Sequence, residues 1–185
     1  MGFICGWLGD TREQGAALID AMVCAPQGLP EAIPASQVGD RAALAIRDRT
    51  ETAPYFAPDG FCAVIEGHPH WNDSELARIA SESGMAQALV EGFRRHGTGV
   101  LERLGGSFAL CVLQPSERYA LLAVDRTGIR PLAFTLANNN LVFGTQIDSI
   151  IRHPSVGVEI DPQGIFNYLY FHMLPSPGTI YRNIE

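Results

Sequence analysis

Val124-Asp125-Arg126-Thr127-Gly128-Ile129-Arg130-Pro131-Leu132 lies between two apolar runs, Tyr119–Ala123 and Leu132–Leu136. Each run reads as a strand. Between them an Asp can bond nearby backbone amides, a Gly tolerates positive φ, and a Pro fixes φ. The stretch therefore specifies a bend joining two strands. Ser107–Leu113 before it and Leu141–Phe143 after it complete an expected antiparallel meander, with Asn138-Asn139-Asn140 as a tight hairpin turn.

Earlier in the chain, Phe3–Leu8 reads as a buried strand, Arg12–Cys24 as a helix and Pro26–Pro34 as a loop. Ala42–Ile46 and Gly60–Ile65 read as strands. Asn72 or Asp73 is placed to cap a helix from Ser74, a second helix spans Met85–His96, and Asp161-Pro162 starts a last one over Gln163–Phe171. Strands joined by hairpins, with helices grouped between them, imply an α+β fold.

The chain has 185 residues and a net charge of -7. That length suits one domain with a real core. The charge argues against nucleic-acid binding, which needs a basic face. No apolar run is long enough to span a membrane, and the start lacks a basic signal-peptide region, so the expected compartment is the cytoplasm. Cys5, Cys24, Cys62 and Cys111 form no Cys-x-x-Cys pair, so no metal site is expected. Cys62 and Cys111 sit in strand-like runs as inert core residues. His68-Pro69-His70-Trp71 reads as a surface loop rather than a metal pair, for want of a third ligand.

The wording of the bend resembles the Asp-Arg-x-Gly-x-(Lys/Arg)-Pro-Leu segment of class II glutamine amidotransferases, and of asparagine synthetase-like proteins in particular. Leu101-Glu102-Arg103-Leu104-Gly105-Gly106-Ser107-Phe108-Ala109-Leu110 is similar to the family's step from helix to central strand. Leu141-Val142-Phe143-Gly144-Thr145-Gln146-Ile147 is similar to its Leu-Val-Phe-Ala-Ser-Glu-Ile step. Pro175-Ser176-Pro177-Gly178-Thr179-Ile180-Tyr181 resembles the connector to a synthetase domain. The resemblance implies a four-layer α-β-β-α sandwich of the N-terminal nucleophile hydrolase type. It divides the chain into a glutaminase-type domain, 1–158, and a connector, 159–185, toward a synthetase domain absent from this sequence.

The family's nucleophile is a cysteine at the start of the mature chain, whose free amino group is its base. Cys5-Gly6 matches that opening, but four residues precede it. Cys5 is thus either a buried strand residue or a catalytic thiol freed by removal of residues 1–4. The family's oxyanion asparagine falls at Glu66-Gly67; an ionised carboxylate cannot donate a hydrogen bond, leaving the Gly67 N–H as the oxyanion-hole donor. The substrate-binding arginine aligns near Ala43, with Arg41 and Arg47 close by, and the aspartate that holds the amino group near Ser83-Gly84-Met85. The substrate-binding set is therefore unassigned. Asp125 and Arg126 are expected to brace the bend.

The resemblance leaves two functions open. One is a degenerate glutaminase-type scaffold for an ATP-dependent amide-forming partner, a synthetase domain or subunit. The other is an active glutaminase, binding glutamine and supplying ammonia for asparagine synthesis. An unrelated hydrolase on the same fold is a third option. No cofactor is expected in this chain, with ATP and Mg confined to the synthetase domain. A homodimer stays open, and the Tyr168-Leu169-Tyr170-Phe171 cluster calls for a partner surface.

Overall fold

The computed structural model describes residues 2–10, 15–25, 33–48 and 52–185. Among these, β1 (Phe3–Leu8), β2 (Ile33–Val38), β3 (Ala42–Asp48), β8 (Ala133–Ala137) and β9 (Asn140–Gly144) form one sheet, in the order β2-β3-β1-β9-β8. The second sheet has the order β4-β5-β6-β7, from Tyr55–Phe56, Cys62–Trp71, Leu104–Gln114 and Tyr119–Val124. Helices α1 (Gly15–Cys24) and α4 (Ile147–Ile150) cover the first sheet, and α2 (Ser74–Ser83) and α3 (Met85–His96) cover the second. The layers are α-β-β-α, as the resemblance implies.

The apolar pattern explains this stacking. Every residue of β1 is buried, because the strand lies between β3 and β9 and is covered on both faces. Its odd residues, Phe3, Cys5 and Trp7, join Ile19, Met22 and Ile150 under the helices. Its even residues Ile4 and Leu8 join Leu44, Val64 and Cys111 between the sheets. Gly6 is required there, since a Cβ would lie 2.4 Å from the Ala43 carbonyl oxygen. The Asp73 carboxylate accepts from the amides of Glu75 and Leu76 and starts α2.

The structure corrects several expectations. The four strands from Ser107 to Phe143 are not one meander. They form two hairpins in different sheets, β6-β7 and β8-β9, and the Val124–Leu132 bend carries the chain across the sandwich. The Asn138–Asn139 turn joins β8 to β9 with both residues at positive φ, as a two-residue hairpin demands. His68–Trp71 is strand rather than loop. It extends β5 against Leu104–Ser107, and Pro69 faces Gly106. β2 begins inside the segment read as a loop ending at Pro34; the rest of that loop, 26–32, lies outside the described residues, as do residues 12–14 of the expected first helix.

Residues 159–185 pack back onto the sandwich. Ile160 bridges Tyr181, and Gly164 of α5 (Pro162–Phe171) sits against Thr179. Ile184 is 2% exposed in the cluster holding Phe3 and Trp7, while Glu185 exchanges backbone hydrogen bonds with Phe134 at the edge of β8. No helix of the described residues is long and apolar enough to cross a membrane.

Candidate functional site

Cys5 lies on the helix-facing side of β1 and is fully buried. Burial pushes its thiol up to about 12; contact with Ser149 lowers it only in part, and Cys24 raises it slightly. At neutral pH roughly one such thiol in 10⁵ is ionised, and the thiolate is the nucleophile. The residues before it belong to the fold. Phe3 and Ile4 are fully buried, the Ile4 amide donates to Thr145 Oγ1 at 3.1 Å, and the Thr145 amide donates to the Ile4 carbonyl at 2.9 Å.

Glu66 and Gly67 sit on β5, in the other sheet. Glu66 shares the face of Cys62 and Val64 and so points between the sheets. Cys5 points the opposite way, beyond the far face of its own sheet, so the structure does not bring Cys5 and Gly67 together. Gly67 takes φ 108°, where a Cβ would fall 2.4 Å from the Ser107 carbonyl oxygen, and needs to be glycine for that reason alone.

The polar centre between the sheets is instead Glu66 with Arg130. Glu66 is 3% and Arg130 8% exposed, and Arg130 Nη1 lies 3.4 Å from Glu66 Oε2. Burial pushes the Glu66 carboxyl up to about 7, while Arg130 pulls it back and Asp48 pushes it further. One long contact with a guanidinium does not offset the loss of water. Arg130 is placed by Asp125, whose carboxylate accepts from the amides of Phe108, Thr127, Ile129 and Arg130 and from the Thr127 hydroxyl. These bonds, the Thr127 hydroxyl foremost, hold Asp125 down at about 2. Arg126, the other expected brace, is exposed; the inward-facing arginine of the bend is Arg130, whose role the sequence reading missed. Its place before Pro131 in the quoted motif was the available signal.

The expected substrate positions carry no matching charge. Ala43 is fully buried on the helix-facing side. Arg41 pairs with the exposed Asp10 at 3.2 Å, at the Leu8 end of β1, and Arg47 stands at the Phe3 end. Ser83, Gly84 and Met85 line a cavity of about 240 Å³ with Thr52, Tyr55 and Gln87. Among the described residues no charged side chain lines it, so none of them there matches both ends of a free amino acid. Cys62 and Cys111 are fully buried, with thiols raised by burial. Among the described residues no group of three His, Cys, Asp or Glu could hold a metal ion, and His68 and His70 remain a pair on one strand.

Comparison with known proteins adds family resemblance to this geometry. A family model described as a glutamine amidotransferase domain matches residues 71–185. A putative glutamine-hydrolyzing asparagine synthetase of Mycobacterium tuberculosis is 25% identical over 143 residues, covering 71% of this chain and 22% of that protein. Asparagine synthetase 3 of Bacillus subtilis is 28% identical over 86 residues, covering 46% of this chain and 14% of that protein. The chain thus spans about a fifth or less of the length of these relatives. Among solved structures, glutamine phosphoribosylpyrophosphate amidotransferase from B. subtilis superposes with a TM-score of 0.56 at 14% identity, over 80% of this chain and 42% of that one. That likeness is one of fold.

Proposed function

Because this chain belongs to the glutamine amidotransferase domain family, we propose that it is a glutaminase-type domain which has lost the glutaminase reaction and serves as a scaffold for an ATP-dependent, amide-forming synthetase domain or subunit in the cytoplasm. The observation that carries this reading is Cys5: a fully buried thiol raised to about 12, facing away from the inter-sheet end where Glu66 and Gly67 lie. Activation by removal of residues 1–4 runs against the packing. It would strip Phe3 and Ile4 from the core and leave Thr145 without its backbone partners. Each buried large side chain lost costs about 2–5 kcal/mol.

Residues 1–158 are assigned to the glutaminase-type domain and 159–185 to the connector. The partner's contact region is the apolar face of α5 together with Met173 just beyond its end. Phe166, Leu169, Tyr170 and Met173 are between 58% and 70% exposed there, more apolar surface than a solvated helix retains without a purpose. ATP and Mg belong to the synthetase partner and not to this chain.

Intact mass and a glutaminase assay test the proposal together. The expected result is a chain that retains Phe3 and Ile4 and releases no glutamate from glutamine. A chain starting at Cys5 that liberates ammonia from glutamine would overturn it in favour of a working glutaminase.

A further inference from the structure

Arg130 ends the Asp125 bend with its guanidinium inside the protein, where Nη1 meets Glu66 and Nε has no hydrogen-bond partner among the described residues. A guanidinium keeps its proton in proteins, whereas a carboxylate does not. If Glu66 takes up a proton, Arg130 loses the carboxylate 3.4 Å from its Nη1, and depriving a buried cation of its ion-pair partner costs several kcal/mol. The least costly escape is toward water, and the bend lies at the surface: Arg126, Thr127, Gly128 and Ile129 are all exposed.

Other groups act on Glu66 besides Arg130. β3 contributes Asp48, a like charge, and β6 places Ala109 opposite. β1 brings the apolar Ile4, and His68, two residues along β5, is exposed.

We propose that Glu66 and Arg130 form a proton-operated latch: ionised Glu66 holds Arg130 and the bend against the sandwich, and protonation of Glu66 releases them. The carboxyl, raised by burial to about 7, is poised for this near neutrality. The bend continues into Pro131 and Leu132, which wall a cleft of about 410 Å³ shared with Leu174, Pro177 and Thr179 of the connector. The latch therefore sets how firmly that wall is held where the connector packs. It does not depend on whether the domain is a scaffold or a glutaminase.

Amide hydrogen exchange of Gly128, Ile129 and Arg130, corrected for intrinsic pH dependence, tests it. Their amides bond to the Asp125 carbonyl or carboxylate, and Asp125, held at about 2, stays ionised throughout. Between about pH 8.5 and 5.5 their protection is expected to fall about tenfold, with a midpoint near 7, while Leu110 in β6 stays protected. In Glu66→Gln the three amides exchange fast at every pH. Protection that is flat with pH in the natural chain, or an unchanged transition in Glu66→Gln, overturns the latch. A carbon-13 titration of the Glu66 carboxyl needs no variant. A midpoint near 7 with a concurrent shift of the Arg130 Nε–H supports the latch; an ordinary carboxylate midpoint overturns it.

Discussion

Cys5 on β1 and Glu66 on β5 are both polar residues buried in central strands, and both are pushed toward the neutral form by loss of water. Their surroundings differ. Glu66 points between the sheets and has a guanidinium within 3.4 Å, carried by a bend exposed at 126–129. Cys5 points into the apolar layer beneath α1 and α4, with Ser149 as neighbour and, among the described residues, no charge to draw out its proton. The difference comes from strand parity. Side chains alternate across a sheet, so one residue's offset decides whether a group meets the inter-sheet space or the helical layer. A matching dipeptide such as Cys5-Gly6 carries no information about which.

The largest expected effect breaks the Glu66 side of this contrast. Arg130→Met leaves Glu66 without its partner and should cost about 3–5 kcal/mol in urea denaturation at pH 8, whereas the double variant Glu66→Leu/Arg130→Met should regain most of that. Equal losses in the single and double variants would mean that the pair is not coupled.

Next in size is a pair of opposing pH effects. Glu66 has a folded pKa raised to about 7 from 4.5, so its stabilising contribution is full below 4.5 and is lost as pH rises through 7. His153, 1% exposed beside Trp7, is held down at about 4 by burial, from 6.5. Its contribution is full above 6.5 and is lost as pH falls through 4. Each is worth about 3 kcal/mol at most, and the windows overlap, so they largely cancel in the natural chain. Denaturation at pH 4.5 and 7.5 should therefore show a fall on acidification in Glu66→Gln and a gain in His153→Leu. Parallel pH profiles for the natural chain and both variants would refute the two assignments.

Smaller still is the chemical test of Cys5. In the folded chain iodoacetamide should modify the exposed Cys24 and spare Cys5, Cys62 and Cys111, which become reactive on unfolding. Rapid labelling of Cys5 by an electrophilic glutamine analogue under native conditions would erase the contrast with Glu66. The smallest effect is at the surface: Arg78 and Glu82 pair at 2.6 Å but are more than half exposed, so Glu82→Ala should shift stability by less than about 0.5 kcal/mol.

Much of the fold was legible. The Asn72 or Asp73 cap marked the start of α2, Met85–His96 was read as a helix and is α3, and Asp161-Pro162 marked the start of α5. β2 was missed because Ile33-Pro34-Ala35-Ser36-Gln37-Val38 lacks a strong apolar alternation. It exists as an edge strand that tolerates proline because β3 supplies its ladder. His68–Trp71 was taken for a loop because of Pro69, yet Pro69 keeps register against Gly106 and the strand runs on to Trp71. The site was less legible. The sequence marked Asp125 and questioned Glu66, but the partnership of Glu66 with Arg130 spans 64 positions and leaves no local signature.

The sequence by itself determined the α+β class, most of the strands and helices, the bend and the family, because these rest on periodicity, caps, turn chemistry and wording read along the chain. Only the tertiary structure decided that the bend crosses from one sheet to the other and that Cys5 and Glu66 face different layers. The physical reason is that these depend on which strands pair and in which register, and a register is set by distant partners rather than by neighbours in sequence.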